Sequence, residues 1–209
     1  MMFVIGLTGS IGMGKSTAAK HFVRSGVAVF DADAEVHRLY EGAAVPAIAA
    51  TFPSAVRNGR VDRALLAQNL AGSPAKLEAL ESIVHPMVVK AEIEFLREQE
   101  ALGAEFAVLE IPLLFETGAE TRVDFSIVVS APADVQRARA LARPDMTEQK
   151  LRQLLDRQLP DREKRARADY VVDSSVSIAD MDAQIDRLLE SLAGRQGRVM
   201  ERLRRGEIN

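Results

Sequence analysis

A glycine-rich segment ending in Lys15 and Ser16 combines residue types whose spacing implies phosphate chemistry. Residues 9–16 read Gly-Ser-Ile-Gly-Met-Gly-Lys-Ser, which matches the P-loop pattern Gly-x-x-x-x-Gly-Lys-Ser. Glycines allow successive backbone amides to approach one anion, and a helix beginning near Lys15 adds partial positive charge at the same place. We therefore expect the Lys15 ammonium and the backbone amides of the segment to bind nucleotide phosphates. The residues of this predicted site are Gly12, Met13, Gly14, Lys15, Ser16 and Thr17, and the hydroxyl of Ser16 is the predicted ligand of Mg²⁺.

Two aspartates follow a second apolar segment and are the predicted carboxylates of the site. A carboxylate at Asp33 can accept the proton of an acceptor hydroxyl and orient its oxygen, while Asp31 is expected to order Mg²⁺ waters or a sugar. An Asp-Ala-Asp pattern after a strand is also typical of a helix N-cap. Because residues 34–40 have a helical pattern, capping fits Asp33 well, and the residues alone leave both roles open.

Two arginines form a third group. Arg139 and Arg143 lie four residues apart on a helix predicted to begin near Ala133, so they are expected to share one face. There they would neutralise the charge on a phosphoryl group during transfer, and a solvated helix face is the alternative. Arg137 is assigned to solvent, as is the charged run over residues 161–165.

Other polar residues allow two interpretations each. His85-Pro86 is interpreted as the start of a long amphipathic helix over residues 86–102, with the histidine either packed or in contact with an acceptor. Glu110 would hold a water of Mg²⁺ or pack beside the P-loop. The three histidines are too scattered along the chain for the spacing of metal ligands.

Five short segments, rich in β-branched and aromatic residues, predict the buried strands that position these groups. They are residues 3–7, 27–30, 106–111, 125–130 and 170–172. Helical patterns separate them, which predicts an α/β fold with a five-stranded parallel sheet flanked by helices. Ligands of such sheets bind beyond the carboxyl ends of the strands, where the P-loop, Asp31, Asp33 and Ser174 are expected.

Two helical stretches interrupt this alternation. Residues 34–102 contain no convincing strand, and we expect them to form an acceptor-binding domain. Residues 132–167 are rich in arginine and would form a lid over the phosphates. The core of a single P-loop unit over 1–209 would then comprise residues 1–33, 103–131 and 168–209. The basic end of the chain is expected to be a frayed, solvated terminus.

The overall composition argues against several classes of protein. The 209 residues include 27 Lys+Arg, 30 Asp+Glu and no cysteine, so nothing indicates nucleic-acid binding, a disulfide or a thiolate metal site. No apolar stretch reaches membrane-spanning length, and the first strand leaves no room for a signal peptide. We expect a cytoplasmic protein without nucleic-acid or membrane partners. The sequence does not indicate its oligomeric state.

The order of the motifs resembles one family of small-molecule kinases. The Asp-x-x-Gly and Asn-Lys-x-Asp patterns of GTPase switches do not occur in the chain. The segments that resemble dephospho-CoA kinases are residues 6–16, Asp31-Ala32-Asp33 with Arg38, Val61-Asp62-Arg63 with Leu66, residues 80–86, Pro112-Leu113-Leu114-Phe115-Glu116, and Gln136, Arg139, Arg143 and Gln158 with Ala168-Asp169. The chain departs from the family at Ser174, where an asparagine is usual in the loop near the adenine.

The resemblance implies a reaction and a set of roles. ATP would phosphorylate the 3′-hydroxyl of the ribose of dephospho-CoA, giving ADP and coenzyme A, with Mg²⁺ as cofactor. The implied fold is a nucleotide-kinase-like P-loop core with a helical CoA domain and a lid. The implied proton acceptor is Asp33, the implied base-side residue is Ser174, and the residues on the acceptor side are Asp31, Arg38, Arg63 and His85. A nucleoside or nucleoside-monophosphate kinase, and a nucleotide-gated binding module, remain as alternatives.

Overall fold

The apolar segments of the sequence form the strands of a central sheet. In this computed structural model, which describes residues 1–208, the strands are β1 Phe3–Thr8, β2 Ala28–Asp31, β3 Val56–Arg57, β4 Arg60–Val61, β5 Phe106–Glu110, β6 Phe125–Ser130 and β7 Tyr170–Asp173. The helices are α1 Lys15–Arg24, α2 Ala32–Tyr40, α3 Val45–Thr51, α4 Arg63–Leu70, α5 Pro74–Ala101, α6 Ala133–Leu141, α7 Glu148–Leu155, α8 Asp161–Arg167, α9 Ile178–Leu192 and α10 Val199–Arg204. Short 3₁₀ turns lie at Pro53–Ala55 and Ala119–Arg122.

The five-stranded sheet has the order β2-β5-β1-β6-β7, with β1 at its centre. Strand β1 pairs in parallel with β5, where Phe3 lies opposite Phe106, and with β6, where Ile5 lies opposite Phe125. All six residues of β1 are buried, as expected for a strand covered on both faces. Because the paired strands are parallel, the segments after β1, β5, β6 and β7 leave the sheet at one edge. The predicted fold class is therefore confirmed.

The chain divides into two compact units, each with its own apolar cluster. One unit is Met1–Phe30 with Leu96–Ile208, and the other is Asp31–Phe95, so the division falls within α5. The sheet, α1 and α9 pack in the first unit around Ile5, Phe22 and Ile185, which are fully buried. The second unit packs around Ile48 and the apolar residues of α2 to α5. The assignment of residues 34–102 to acceptor binding and of 132–167 to a lid remains a prediction.

Two expectations for the second unit were wrong. Residues 56–61 form an antiparallel hairpin of β3 and β4, although no strand was expected there. Its turn is Asn58-Gly59, with φ angles of 51° and 73°, as a type I′ turn requires. Pro86 lies inside α5 instead of starting a helix. Leu80 and Val84 before it and Leu96 after it are all buried, so packing along the helix offsets the backbone hydrogen bond that proline removes.

Residues 199–204 form a helix, although the basic end of the chain was expected to be frayed. Helix α10 buries Val199 and Met200, and the carboxylate of Asp124 caps it by accepting hydrogen bonds from the amides of Arg198 and Val199. Arg204 forms an ion pair with Glu100 at 2.7 Å. Within residues 1–208, no helix is both long enough and apolar enough to cross a membrane.

Candidate active site

The P-loop turns tightly between β1 and α1, and glycine is required at two of its positions. Gly12 and Gly14 have φ angles of 80° and 87°, which side chains rarely tolerate. A Cβ atom on Gly12 would lie 2.6 Å from the carbonyl oxygen of Gln136. The conformation and the close packing together exclude other residues at Gly12, and Gly14 ends the turn directly before Lys15, the first residue of α1.

Lys15 is paired with the last residue of β5. Its Nζ donates to Oε1 of Glu110 at 2.5 Å, and the two side chains are 15% and 7% exposed. The pair holds the ammonium at the edge of the sheet where β1 and β5 end, beside the P-loop. Glu110 thus lies beside the P-loop, and its interpretation as the holder of a Mg²⁺ water remains a prediction.

The surroundings of Ser16 fit a magnesium ion bound mainly through a nucleotide. Ser16 is exposed at the start of α1, and its hydroxyl forms no hydrogen bond within residues 1–208. No group of three His, Cys, Asp or Glu residues in that part of the chain could enclose a metal. Mg²⁺ commonly keeps its waters and takes one or two protein ligands together with phosphate oxygens, so a single hydroxyl is a suitable donor set.

Ser174 is buried and supports the P-loop through a hydrogen bond to its backbone. It is 4% exposed, and its Oγ donates to the carbonyl oxygen of Met13 at 2.7 Å. Arg139 binds the same residue twice, through Nη1 to Oγ at 3.0 Å and through Nη2 to the carbonyl oxygen at 2.8 Å. The arrangement brings Arg139, Ser174 and the P-loop together, so Arg139 is held in place by Ser174 although the residue is exposed.

The segment after Ser174 is held by Asp173. The hydroxyl and the amide of Ser175 both donate to the carboxylate of Asp173, at 2.6 and 2.8 Å. These hydrogen bonds hold the pKa of Asp173 below its ordinary value. The chain therefore leaves β7 in a defined turn.

Two glutamines bind the backbone of one P-loop residue. Gln136, on α6, donates from Nε2 to the carbonyl oxygen of Ile11 at 2.9 Å, and Oε1 of Gln158 accepts from the amide of Ile11 at 3.4 Å. Both lie in the predicted lid segment, one near each end. The sequence matched these residues to family motifs but did not indicate what they bind.

Arg143 does not share a helix face with Arg139. Helix α6 ends at Leu141, and Arg143 lies beyond it, exposed and without a side-chain hydrogen bond in the described chain. Pro144 follows, and a residue before proline is sterically disfavoured in the helical conformation. The shared face expected from the four-residue spacing was wrong. Arg137, assigned to solvent, forms an ion pair with Glu148.

In the second unit, the two aspartates have separate roles. Asp31 is the N-cap of α2, and its Oδ1 accepts from the amide of Ala34 at 3.0 Å. Asp33 lies in the first turn, exposed, and its carboxylate forms no hydrogen bond or ion pair within this unit. The capping role considered for Asp33 therefore belongs to Asp31, and the carboxylate of Asp33 is unused by the local structure.

The remaining acceptor-side residues are exposed in the second unit. Arg38 is bound by both carboxylate oxygens of Glu35, at 2.8 and 2.5 Å, which raises the pKa of its guanidinium. Arg63 starts α4 after the N-cap Asp62. His85 lies in mid-helix on α5.

Comparison with known proteins identifies the family. The model of the dephospho-CoA kinase family matches residues 3–180. The chain belongs to the dephospho-CoA kinase family. It is similar to the dephospho-CoA kinase of Brucella melitensis, with 55% identity over 93% of this chain and 97% of that one. The dephospho-CoA kinase of a Rhodopseudomonas palustris strain is 54% identical over 92% of this chain and 96% of its own length.

Solved structures share the fold of this chain. A crystal structure from Thermus thermophilus superposes with a TM-score of 0.82 at 37% identity, covering 92% of this chain and 99% of that one. A dephospho-CoA kinase from Campylobacter jejuni gives a TM-score of 0.63 at 21% identity, covering 90% and 96%. The fold is also shared with a shikimate kinase from Acinetobacter baumannii, with a TM-score of 0.54 at 18% identity over 93% and 97%.

Proposed function

We propose that this chain transfers the γ-phosphoryl group of ATP to the 3′-hydroxyl of the ribose of dephospho-CoA, giving ADP and coenzyme A. It is an ATP-dependent kinase of coenzyme A biosynthesis. The observation that carries this function is a family match over residues 3–180 that includes a P-loop built as phosphate binding requires. In the reaction, the 3′ oxygen bonds to the γ-phosphorus, and the bond from that phosphorus to the bridging oxygen of ADP breaks.

The P-loop would hold the phosphates of ATP. Its amides and the Lys15 ammonium bind the β- and γ-phosphates, with Lys15 exchanging part of its contact with Glu110 for phosphate oxygens. Mg²⁺, held through the Ser16 hydroxyl, would neutralise charge on the β- and γ-phosphate oxygens. The supports of the loop, Ser174 and Gln136, fix the backbone that does the binding.

Asp33 is the proposed acceptor of the proton from the 3′-hydroxyl. It follows β2 directly, and ligands of parallel sheets bind beyond the carboxyl ends of strands. Its carboxylate is exposed and has no partner within its unit, whereas the neighbouring Asp31 is used to cap α2. A free carboxylate can orient the hydroxyl and take its proton as the new bond forms.

Two arginines would act from the lid segment in different ways. Arg139 is fixed to Ser174 beside the P-loop, so its charge contributes to the nucleotide site from a set position. Arg143 has an exposed side chain without a partner in residues 1–208, and closure of the segment would bring its guanidinium to the transferring phosphoryl group. We assign the acceptor-side contacts to Arg38, Arg63 and His85, and a place in the cytoplasm remains a prediction.

The test is the release of ADP from Mg·ATP with a set of acceptors. Dephospho-CoA should give ADP together with coenzyme A, while AMP, CMP and pantetheine phosphate should give little more than the acceptor-free background. Turnover with a nucleoside monophosphate instead would indicate a nucleotide kinase on the same fold. ATP binding without turnover on any acceptor would indicate a nucleotide-gated binding protein.

A further inference from the structure

A fully buried lysine contacts the segment that follows β5. Lys164, on α8, is 0% exposed, although its charged neighbours in residues 161–165 had favoured a solvated position. Its ammonium forms an ion pair with Oε1 of Glu116 at 2.8 Å and donates to the carbonyl oxygen of Pro112 at 3.3 Å. A buried ammonium is costly unless it is paired and hydrogen-bonded, so these contacts account for its presence there.

Both partners of Lys164 also bind segments that border the phosphate site. The Pro112 carbonyl oxygen accepts from Oγ1 of Thr8 at 3.0 Å, and Thr8 is the last residue of β1 before the P-loop. Oε1 of Glu116 accepts from the amide of Leu159 at 2.8 Å. Leu159 directly follows Gln158, whose side chain accepts from the amide of Ile11 in the P-loop.

Lys164 thus lies where three segments meet: the entry to the P-loop, the segment after β5, and the returning end of the lid segment. With no exposed surface, Lys164 cannot contact ATP or dephospho-CoA. Any effect on phosphoryl transfer must pass through Glu116 and Pro112 to the backbone of the P-loop and to residues 158–159.

We propose that Lys164 and Glu116 are positioning residues for phosphoryl transfer, which hold the returning end of the lid segment against the P-loop. The Lys164 ammonium fixes the carboxylate of Glu116 so that it accepts from Leu159, and this places Gln158 on Ile11. The role rests on the proposed kinase function, since it describes the geometry in which that reaction occurs.

Two double variants separate positioning from simple stability. Removing Lys164 alone would leave the Glu116 charge buried and unpaired, which could prevent folding. Lys164→Met with Glu116→Gln removes both charges and keeps a carbonyl oxygen for the Leu159 amide. Lys164→Met with Glu116→Leu removes both charges and that acceptor as well. Arg162→Met, which removes an exposed cation from the same helix, is the matched control.

Turnover is compared per folded molecule, at a temperature where unfolding curves show every variant folded. The leucine-containing double variant should have a kcat about tenfold to a hundredfold below that of the glutamine-containing one, since small misplacements in an active site cost that much. The KM for dephospho-CoA should be the same in both, and Arg162→Met should match the unmodified chain. Equal kcat values in the two double variants would overturn the proposal.

Amide hydrogen exchange gives a second measurement that needs no acceptor. The amides of Leu159 and Ile11 should exchange faster in the leucine-containing double variant. The Leu159 amide has lost its acceptor, the side chain of Glu116, and the acceptor of the Ile11 amide, Gln158, is no longer held in position. Equal protection of Ile11 in the two variants would also overturn the positioning role. If the unmodified chain fails to phosphorylate dephospho-CoA, the proposed function is wrong. The exchange experiment still shows whether Lys164 and Glu116 hold residues 158–159 against the P-loop.

Discussion

Asp31 and Asp33 are two residues apart, and their carboxylates differ in hydrogen bonding. Asp31 caps α2, while the carboxylate of Asp33 is left without a partner in its unit. Replacing each carboxylate by a neutral amide should therefore have different effects at the two positions. Asparagine retains an oxygen that can cap a helix but cannot accept a proton from a hydroxyl group.

Asp33→Asn should therefore lower kcat by about 10²- to 10⁴-fold, the usual contribution of a general base. Affinity for ATP should persist, because the P-loop is unchanged. Steady-state turnover and ATP titration measure the two effects. Asp31→Asn is the matched control and should show the smaller loss, and a larger loss in that variant would contradict the assignment of roles.

Tyr40 provides a test of burial in the second unit. Burial raises the pKa of its phenol, with the Arg63 charge opposing the shift in part. The stabilising effect of the protonated phenol is complete below the unfolded pKa of about 10 and is lost as pH rises through the higher folded value. Urea unfolding should thus show stability falling above about pH 10, and less steeply in Tyr40→Phe.

The chain has two tyrosines, so Tyr170→Phe leaves Tyr40 as the single phenol. Absorbance titration of that variant should give a pKa above about 10. Ionisation at or below that value would mean that Tyr40 is solvated and that the packing described for α2 is incorrect.

At the scale of whole elements, the strongly patterned segments were predictable and the packed exceptions were not. The strands of the sheet and α9 follow directly from apolar periodicity. The β3–β4 hairpin had a visible signal, Asn58-Gly59, but its two-residue strands are too short to show alternation. Helix α5 passes through Pro86 because burial on both sides outweighs a local breaker, and a local pattern does not contain that information.

The same limit applies to the site. The glycine turn of the P-loop could be predicted, since its conformation depends on glycines close together in sequence. The support of Met13 by Ser174, and the burial of Lys164 against Glu116, join residues far apart in the chain. Long-range polar contacts leave no periodicity behind them, so charge alone suggested solvent for Lys164.

Helix α10 is the element whose packing can be tested most simply. Met200 is 1% exposed, and Met200→Ala should lower the free energy of unfolding by about 2–5 kcal/mol, the usual cost of such a core truncation. Denaturant unfolding gives the value. Arg205→Ala is the control and should change stability by no more than about 0.5 kcal/mol, because its ion pairs are exposed. Equally small changes in the free energy of unfolding of the two variants would indicate the frayed terminus expected from the sequence.

The end of α6 gives a second test at this scale. Arg143→Ala should lower kcat at least about tenfold while leaving the KM for ATP nearly unchanged, because a transition-state charge is lost. Arg139→Ala should instead raise the KM for ATP, since it releases Ser174 beneath the P-loop. Loss of stability alone in Arg143→Ala, with normal turnover, would contradict its role.

For the whole molecule, the proposed chemistry rests on family membership and the P-loop. The first unit contains the P-loop and its supports, and the second contains Asp33 and the residues that we propose for the acceptor side. In phosphoryl transfer the protein mainly positions the reactants and neutralises the charge of the phosphates. The proposed function requires that the γ-phosphoryl group of ATP ends on the 3′ oxygen of dephospho-CoA.

The most direct measurement follows isotopically labelled γ-phosphate from Mg·ATP in the presence of dephospho-CoA and locates the label in the products by NMR. We expect the label on the 3′ oxygen of the ribose, in an amount equal to the ADP released, and we expect this transfer to nearly disappear in Asp33→Asn. Label found in inorganic phosphate, or on another hydroxyl of the acceptor, would contradict the proposed function.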